Sequence, residues 1–369
     1  MERPVWKPIG TPARELDTPA LVIDVAALEH NIETLHSFFR KAPAKVRPYV
    51  PAHRCPAIAH KQLAAGGTVG GVCVGVVGGA EVFAASGVAD ILVTSEVVTT
   101  QKMRRLCALA HHARMTVAVD NPQNIHDLSE MAQQSRVTLG VAVHVRARGI
   151  GAGVPPGAEA VELARVASRS KGLSFQGLMA YEGPMLDGSP EELARESRAA
   201  LQPVLDTRQM VERAGMDVRM VSVGGTHNYE IAGVMSGVTE VQAGSYALMD
   251  HRYAKHRPQF RSAARVLATV TSRPDSETVI TDTGQKAIGA DLGLPAPDGV
   301  QGLEVVSLSA EHGTLKPLSP AASRLDVGDK LWLVPFDIGT CVNLYDYMHV
   351  IRDGKLEAVW DVAARGLYQ

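Results

Sequence analysis

The chain has 369 residues, enough for about two domains, and 46% of it is hydrophobic, so sizeable cores can be buried. Lys plus Arg number 37 against 39 Asp plus Glu, a net charge of −2. That balance argues against chain-wide affinity for nucleic acid or for an anionic membrane, though not against one local basic pocket. Cys55, Cys73, Cys107 and Cys341 form no C-x-x-C pair. The chain opens without the charged-then-apolar pattern of a signal peptide, and no apolar run is long enough to span a bilayer. A cytoplasmic protein with reduced thiols is expected.

From about residue 20 to 243, short β-like runs alternate with helical patterns. Leu21-Val22-Ile23 precedes Asp24, an N-cap candidate, after which Leu28, Ile32, Leu35 and Phe39 recur at helical spacing. Further apolar runs stand at 71–74, 91–93, 115–119, 139–143, 175–179, 218–221 and 238–241, with helical stretches such as 97–112, 158–170 and 190–214 between them. The last opens on Ser189 as cap, Pro190 at the first helical position and two glutamates suited to the positive helix end. About eight strand–helix repeats imply parallel strands and favour a closed (β/α)8 TIM-like barrel over an open sheet. After about residue 260 the rhythm changes: 265–271 alternates and is rich in β-branched residues, and 279–281, 331–334 and 348–351 follow, separated by turns. This predicts a mainly antiparallel β domain. The expected division is a barrel over 16–257, with 1–15 and 258–369 in the β domain.

Many short matches, in order and spacing, carry a resemblance over nearly the whole chain. They include Leu16-Asp17-Thr18-Pro19, Arg47-Pro48, His53, Cys55-Pro56, Glu96-Val97-Val98, Ala180-Tyr181-Glu182-Gly183, Gly224-Gly225-Thr226, Glu311-His312-Gly313 and Val342-Asn343-Leu344. The chain resembles the D-threonine aldolase and D-serine dehydratase branch of the alanine-racemase-like enzymes. The resemblance implies a barrel followed by a β domain, pyridoxal phosphate at the barrel mouth, often a divalent metal, and a homodimer. It implies retro-aldol cleavage or water elimination on β-hydroxy amino acids.

Four segments depart from that pattern. Pro51 stands where the family carries its cofactor lysine, and a Schiff base needs a primary amine. Lys45 and Lys61 are the nearest lysines in sequence; one lies at the far end of the strand and the other on the following helix. His144, Arg146 and Arg148 alternate, so on a continuing strand they would share one face at its C-terminal end. The alternative is that they leave the strand early and are solvated. The glycine turn continues as His227-Asn228, whose bulk would crowd a phosphate, although backbone N–H groups there still suit an anion. In Pro335-Phe336-Asp337-Ile338-Gly339, Asp337 takes the family's metal-histidine position. Asp337 with His312 is compatible with a divalent metal, but one carboxylate alone makes a poor site.

These changes read as a remodelled lyase or isomerase site without covalent pyridoxal phosphate, acting on a small anionic substrate. In that reading His53, His144, Tyr49 and Asp337 are the catalytic candidates. Arg47, Arg146, Arg148, Tyr181, His227 and Asn228 would contact a carboxylate or phosphate. His53 and Tyr181 equally suit roles in orienting neighbours or in packing. Two alternatives remain open at this point: the family activity with non-covalently bound pyridoxal phosphate, and a non-catalytic binding protein.

Overall fold

The computed structural model describes residues 7–149, 151–186 and 188–369. The chain alternates strand and helix as β1 (Ala20–Asp24), α1 (Val25–Lys41), β2 (Lys45–Val46), α2 (Pro56–Ala64), β3 (Val72–Val74), α3 (Val77–Ala85), β4 (Asp90–Glu96) and α4 (Thr100–Leu109). It continues as β5 (Arg114–Val119), α5 (Pro122–Ser135), β6 (Leu139–His144), α6 (Ala158–Arg169), β7 (Leu173–Met179), α7 (Pro190–Arg213), β8 (Met220–Val223), α8 (Tyr229–Ala232), β9 (Glu240–Val241) and α9 (His251–Ala254). Strands then dominate: β10 (Ala264–Asp275), β11 (Thr278–Thr281), α10 (Gln285–Ile288), β12 (Ala296–Asp298), β13 (Leu303–Leu308), β14 (Gly313–Pro317), β15 (Lys330–Val334), α11 (Ile338–Val342), β16 (Tyr347–Arg352) and β17 (Lys355–Asp361).

Two compact units result. One comprises 35–51, 58–244 and 367–369; the other comprises the described residues up to Thr34, together with 52–57 and 245–366. In the first, eight parallel strands run in the order β2-β9-β8-β7-β6-β5-β4-β3. The two end strands are neighbours in sequence, and parallel bridges at Val46–Thr68 and Tyr49–Cys73 join them, closing the ring. One layer of its core takes Cys73, Leu92, Ala118, Ala142, Met179 and Met220 from six consecutive strands, with Tyr49 packed against them. This is the TIM-like barrel that the alternating pattern predicts. Helix α7 starts where the sequence signal placed it. Ser189 accepts from the Glu192 N–H, and the Glu192 carboxylate reaches back to the Ser189 N–H, a reciprocal cap on α7. Asn121 caps α5 ahead of Pro122, and Thr99 caps α4.

In the second unit a nine-stranded sheet runs β13-β14-β11-β10-β1-β16-β17, with β15 on β10 and β12 on β15. It is mainly antiparallel; β1 and β16 pair in parallel. The apolar run at 21–23, expected to open the barrel, therefore lies in the other sheet, antiparallel to β10. Its residues are buried on both faces, and a short wholly apolar run does not say which sheet covers it. The barrel is completed by β2 and β9, two residues each and too short to show a period.

Candidate active site

The barrel mouth lies at the C-terminal ends of its strands, and two strand-terminal side chains meet there. Glu96 ends β4 and His144 ends β6, and His144 Nδ1 lies 2.7 Å from Glu96 Oε1. Burial pushes the Glu96 carboxyl up, but the hydrogen bond to His144, a backbone N–H and the imidazole's charge outweigh it and hold it below the usual carboxylate range. Glu96 is therefore ionised and accepts from Nδ1, so whenever the ring is neutral its proton sits on Nδ1 and Nε2 has the lone pair. Nε2 makes no hydrogen bond among the described residues. The chain beyond His144 is pinned: Arg146 N–H donates to the Val154 carbonyl, Val154 N–H to the His144 carbonyl, and Gly153 N–H to Asp120 Oδ2. Arg146 stays extended and half-buried, whereas Arg148 sits at a bend and is exposed, so the shared strand face holds for His144 and Arg146 only. Neither guanidinium forms an ion pair among the described residues.

A second cluster follows β7 and β8. Asn228 Nδ2 donates to Glu182 Oε1 at 2.5 Å, and Asn228 Oδ1 accepts the Gly225 N–H at 3.0 Å. His227 Nε2 lies 3.3 Å from the same Glu182 oxygen, with both side chains almost wholly buried. Both ring nitrogens of His227 and Glu182 Oε2 lack hydrogen-bond partners, which is unusual for buried polar atoms. Half-exposed Tyr181 meets the His227 ring edge-on at 6.2 Å.

Arg47 belongs elsewhere in the barrel. Its guanidinium binds both oxygens of Glu240, at 2.7 and 2.9 Å, and Asp90 Oδ1 at 3.1 Å, and all three residues are buried. Asp90 and Glu240 begin β4 and β9, at the N-terminal end of the barrel, where residues serve stability rather than ligand contact. The expectation that Arg47 contacts substrate is corrected accordingly. Burial alone would lower its pKa, but the two carboxylates outweigh this and keep it charged. Tyr49 leaves β2 to pack on the interior layer.

The remaining candidates lie in the other unit. His53 is fully buried, and its Nδ1 accepts the Cys55 N–H at 3.2 Å. Asp337 caps α11, accepting the Thr340 N–H at 2.9 Å. His312 is exposed at a turn where its N–H donates to Ser309 Oγ. Among the described residues no three His, Cys, Asp or Glu side chains are grouped to hold a metal, so the Asp337–His312 pair gains no third ligand of these types.

Sequence reasoning passed over Asp250, which caps α9 and accepts N–H bonds from Tyr253 at 3.0 Å and Ile338 at 3.3 Å. Burial, helped by the charge of Asp337, pushes its carboxyl up to about 7 against those two bonds and Arg252. The folded chain thus holds a proton that the unfolded chain has released. Stability is highest below the unfolded value of 3.8 and is lost as pH rises to about 7, with a full effect on the order of 4 kcal/mol. Asp250→Asn should flatten that slope, read as urea midpoints at pH 4.5 and 7.5; an unchanged slope would clear Asp250 of the effect.

The alanine racemase N-terminal domain family matches residues 23–252, and a serine dehydratase domain matches 263–351. D-threonine aldolase of Arthrobacter sp is 35% identical over 97% of this chain and 95% of its own. The chain belongs to the D-threonine aldolase and 3-hydroxy-D-aspartate aldolase family. Within it, 3-hydroxy-D-aspartate aldolase of Paracoccus denitrificans (strain Pd 1222) is 34% identical over 97% of this chain and 94% of its own. The crystal structure of D-threonine aldolase from Filomicrobium marinum superposes with a TM-score of 0.92 at 34% identity, covering 98% of this chain and 99% of that one.

Membership of the aldolase family overturns one expectation, that the chain works without covalent pyridoxal phosphate. That reading rested on Pro51, whereas relatives along almost the full length belong to a family of pyridoxal-phosphate lyases. At the two places the resemblance assigns to the cofactor, the residues present do not fit it. Pro51, in the turn 50–52, has no amine, and Lys45 Nζ is committed to the Phe39 and Ala42 carbonyls. In the glycine turn the Gly225 N–H, which an anion would need, is taken by Asn228 Oδ1. At the mouth the chain itself presents the His144 imidazole, held by Glu96, with Arg146 two residues on.

Proposed function

We propose that this chain is a lyase of the aldolase or dehydratase type acting on a small β-hydroxy-D-amino acid. The observation that carries the reading is the Glu96–His144 pair at the barrel mouth of a chain of this family. Glu96 fixes the tautomer with Nδ1 protonated, so Nε2 is the base that removes a proton, as from the substrate's β-hydroxyl. Half-buried Arg146, two residues on and without an ion pair among the described residues, supplies a positive charge for a substrate carboxylate, and Arg148 adds charge at the rim. Glu182, Asn228 and His227 form a second polar group, after the neighbouring strands β7 and β8.

The substrate is a small anionic metabolite, the chain acts as a cytoplasmic homodimer, and neither nucleic acid nor a membrane is a partner. The near-neutral charge speaks against nucleic acid and anionic membranes as partners, and no helix among the described residues is long and apolar enough to cross a membrane. The test is substrate stereochemistry. With pyridoxal phosphate and a divalent cation supplied, D-threonine or 3-hydroxy-D-aspartate should be consumed and the L-antipodes left intact. Equal consumption of both antipodes would count against the assignment.

A further inference from the structure

Three neighbouring strands of the barrel lead into ionisable residues at its mouth. Glu96 ends β4, His144 ends β6, and Asp120 stands one residue beyond β5, which runs between them. Val119 pairs with Val143, so Asp120 comes level with His144. Asp120 Oδ2 accepts the Gly153 N–H at 3.0 Å.

That bond lies where β6 loses a neighbour. Val145 N–H donates to the Met179 carbonyl of β7 at 2.8 Å, and Arg146 N–H donates on the opposite side to the Val154 carbonyl, also at 2.8 Å. Val145 and Val154 form a parallel bridge, so residues 153–154 take up the edge that β5 leaves after Val119. Asp120 is the first residue past that end. It is itself held in place, because the next residue, Asn121, caps α5.

Gly153 in turn meets the imidazole. A Cβ there would stand 3.1 Å from His144 Cδ2, and 3.0 Å from both the Arg146 nitrogen and the His144 carbonyl oxygen. Those distances are shorter than the separations at which carbon atoms pack. The φ of +96° at Gly153 also suits glycine. The backbone at 153 therefore packs on the Cδ2 side of the ring with no room for a side chain, while Glu96 holds Nδ1 on the other side.

We propose that Asp120 is a positioning residue for His144: by accepting the Gly153 N–H it keeps the glycine against the Cδ2 side of the ring, so that the imidazole is clamped between Gly153 and Glu96 and Nε2 is held in one place. Its effect on turnover rests on the reading of His144 as the base. The test reads the ring directly, by NMR of the protein without substrate, with labelled histidine and glycine. In the unaltered chain a nuclear Overhauser contact should link His144 Hδ2 to the Gly153 Hα protons, a reading that needs no variant to fold. Asp120→Ala should abolish that contact and lower kcat on the order of 10- to 100-fold, the scale of loss when a reacting group is misplaced by about 1 Å. Asp120→Asn, whose amide oxygen can still accept the Gly153 N–H, should restore the contact and most of the turnover. No contact in the unaltered chain, a contact that survives Asp120→Ala, or turnover as low in Asp120→Asn as in Asp120→Ala would overturn the proposal. So would undiminished turnover of Asp120→Ala where His144→Gln is impaired. Full turnover of His144→Gln would instead remove the reading of His144 as base, and the Overhauser contact, which needs no turnover, would still decide whether Asp120 places the ring.

Discussion

His144→Gln should lower turnover about 10²–10⁴-fold while leaving the melting temperature almost unchanged. The side chain is partly exposed at a strand end, and its one hydrogen bond among the described residues is to Glu96. Its loss therefore removes the base without opening a cavity. Glu96→Gln should be milder in rate and different in kind. Glutamine keeps the shape and can still accept from Nδ1, but it withdraws the negative charge that favours the imidazolium. The acid limb of the profile, where the imidazole must lose its proton to act as base, should then move to lower pH. Measuring kcat/KM against pH for the two variants separates a proton-moving histidine from a packed one. A His144→Gln variant with wild-type turnover would remove His144 from the chemistry.

The largest loss of stability should come from Arg47→Met. The substitution leaves Glu240 and Asp90 buried with their shared cation gone, and breaking one side of a buried ion pair costs about 3–5 kcal/mol. At roughly 1.3 °C per kcal/mol for 369 residues unfolding together, the melting temperature should fall by about 4–7 °C. KM of the folded fraction should hardly change. Calorimetry with steady-state kinetics decides between this structural role and substrate contact, because a substrate-binding arginine would show the reverse pattern.

The fold was largely legible because its longer elements carry their own signals. Leu28, Ile32, Leu35 and Phe39 on α1 are all buried, and α7 is capped by Ser189 as its sequence implies. The assignment of the run at 21–23 failed because both sheets bury such a run. The site was less legible. His144 was visible from its strand-end position, but its partner was not. Glu96 lies two strands away, past a register shift between Val93 and Glu96 that breaks the simple alternation of β4. Its only signal was the match at 96–98. Arg47 showed the opposite failure. An arginine at the end of a short strand looks like an anion ligand until Asp90 and Glu240, far off in sequence, are seen to neutralise it. Asp250 gave no pattern at all, since its altered acidity comes from burial among elements that only the folded chain assembles.

The most direct measurement is product analysis by proton NMR. The protein, with pyridoxal phosphate and a divalent cation supplied, is incubated with 3-hydroxy-D-aspartate and, separately, with D-threonine. The account predicts either glycine with the matching aldehyde, from carbon–carbon cleavage, or a 2-oxo acid with ammonia, from loss of water. It also predicts that this product disappears with His144→Gln. Recovery of both substrates unchanged, or product formation that survives loss of His144, would contradict it.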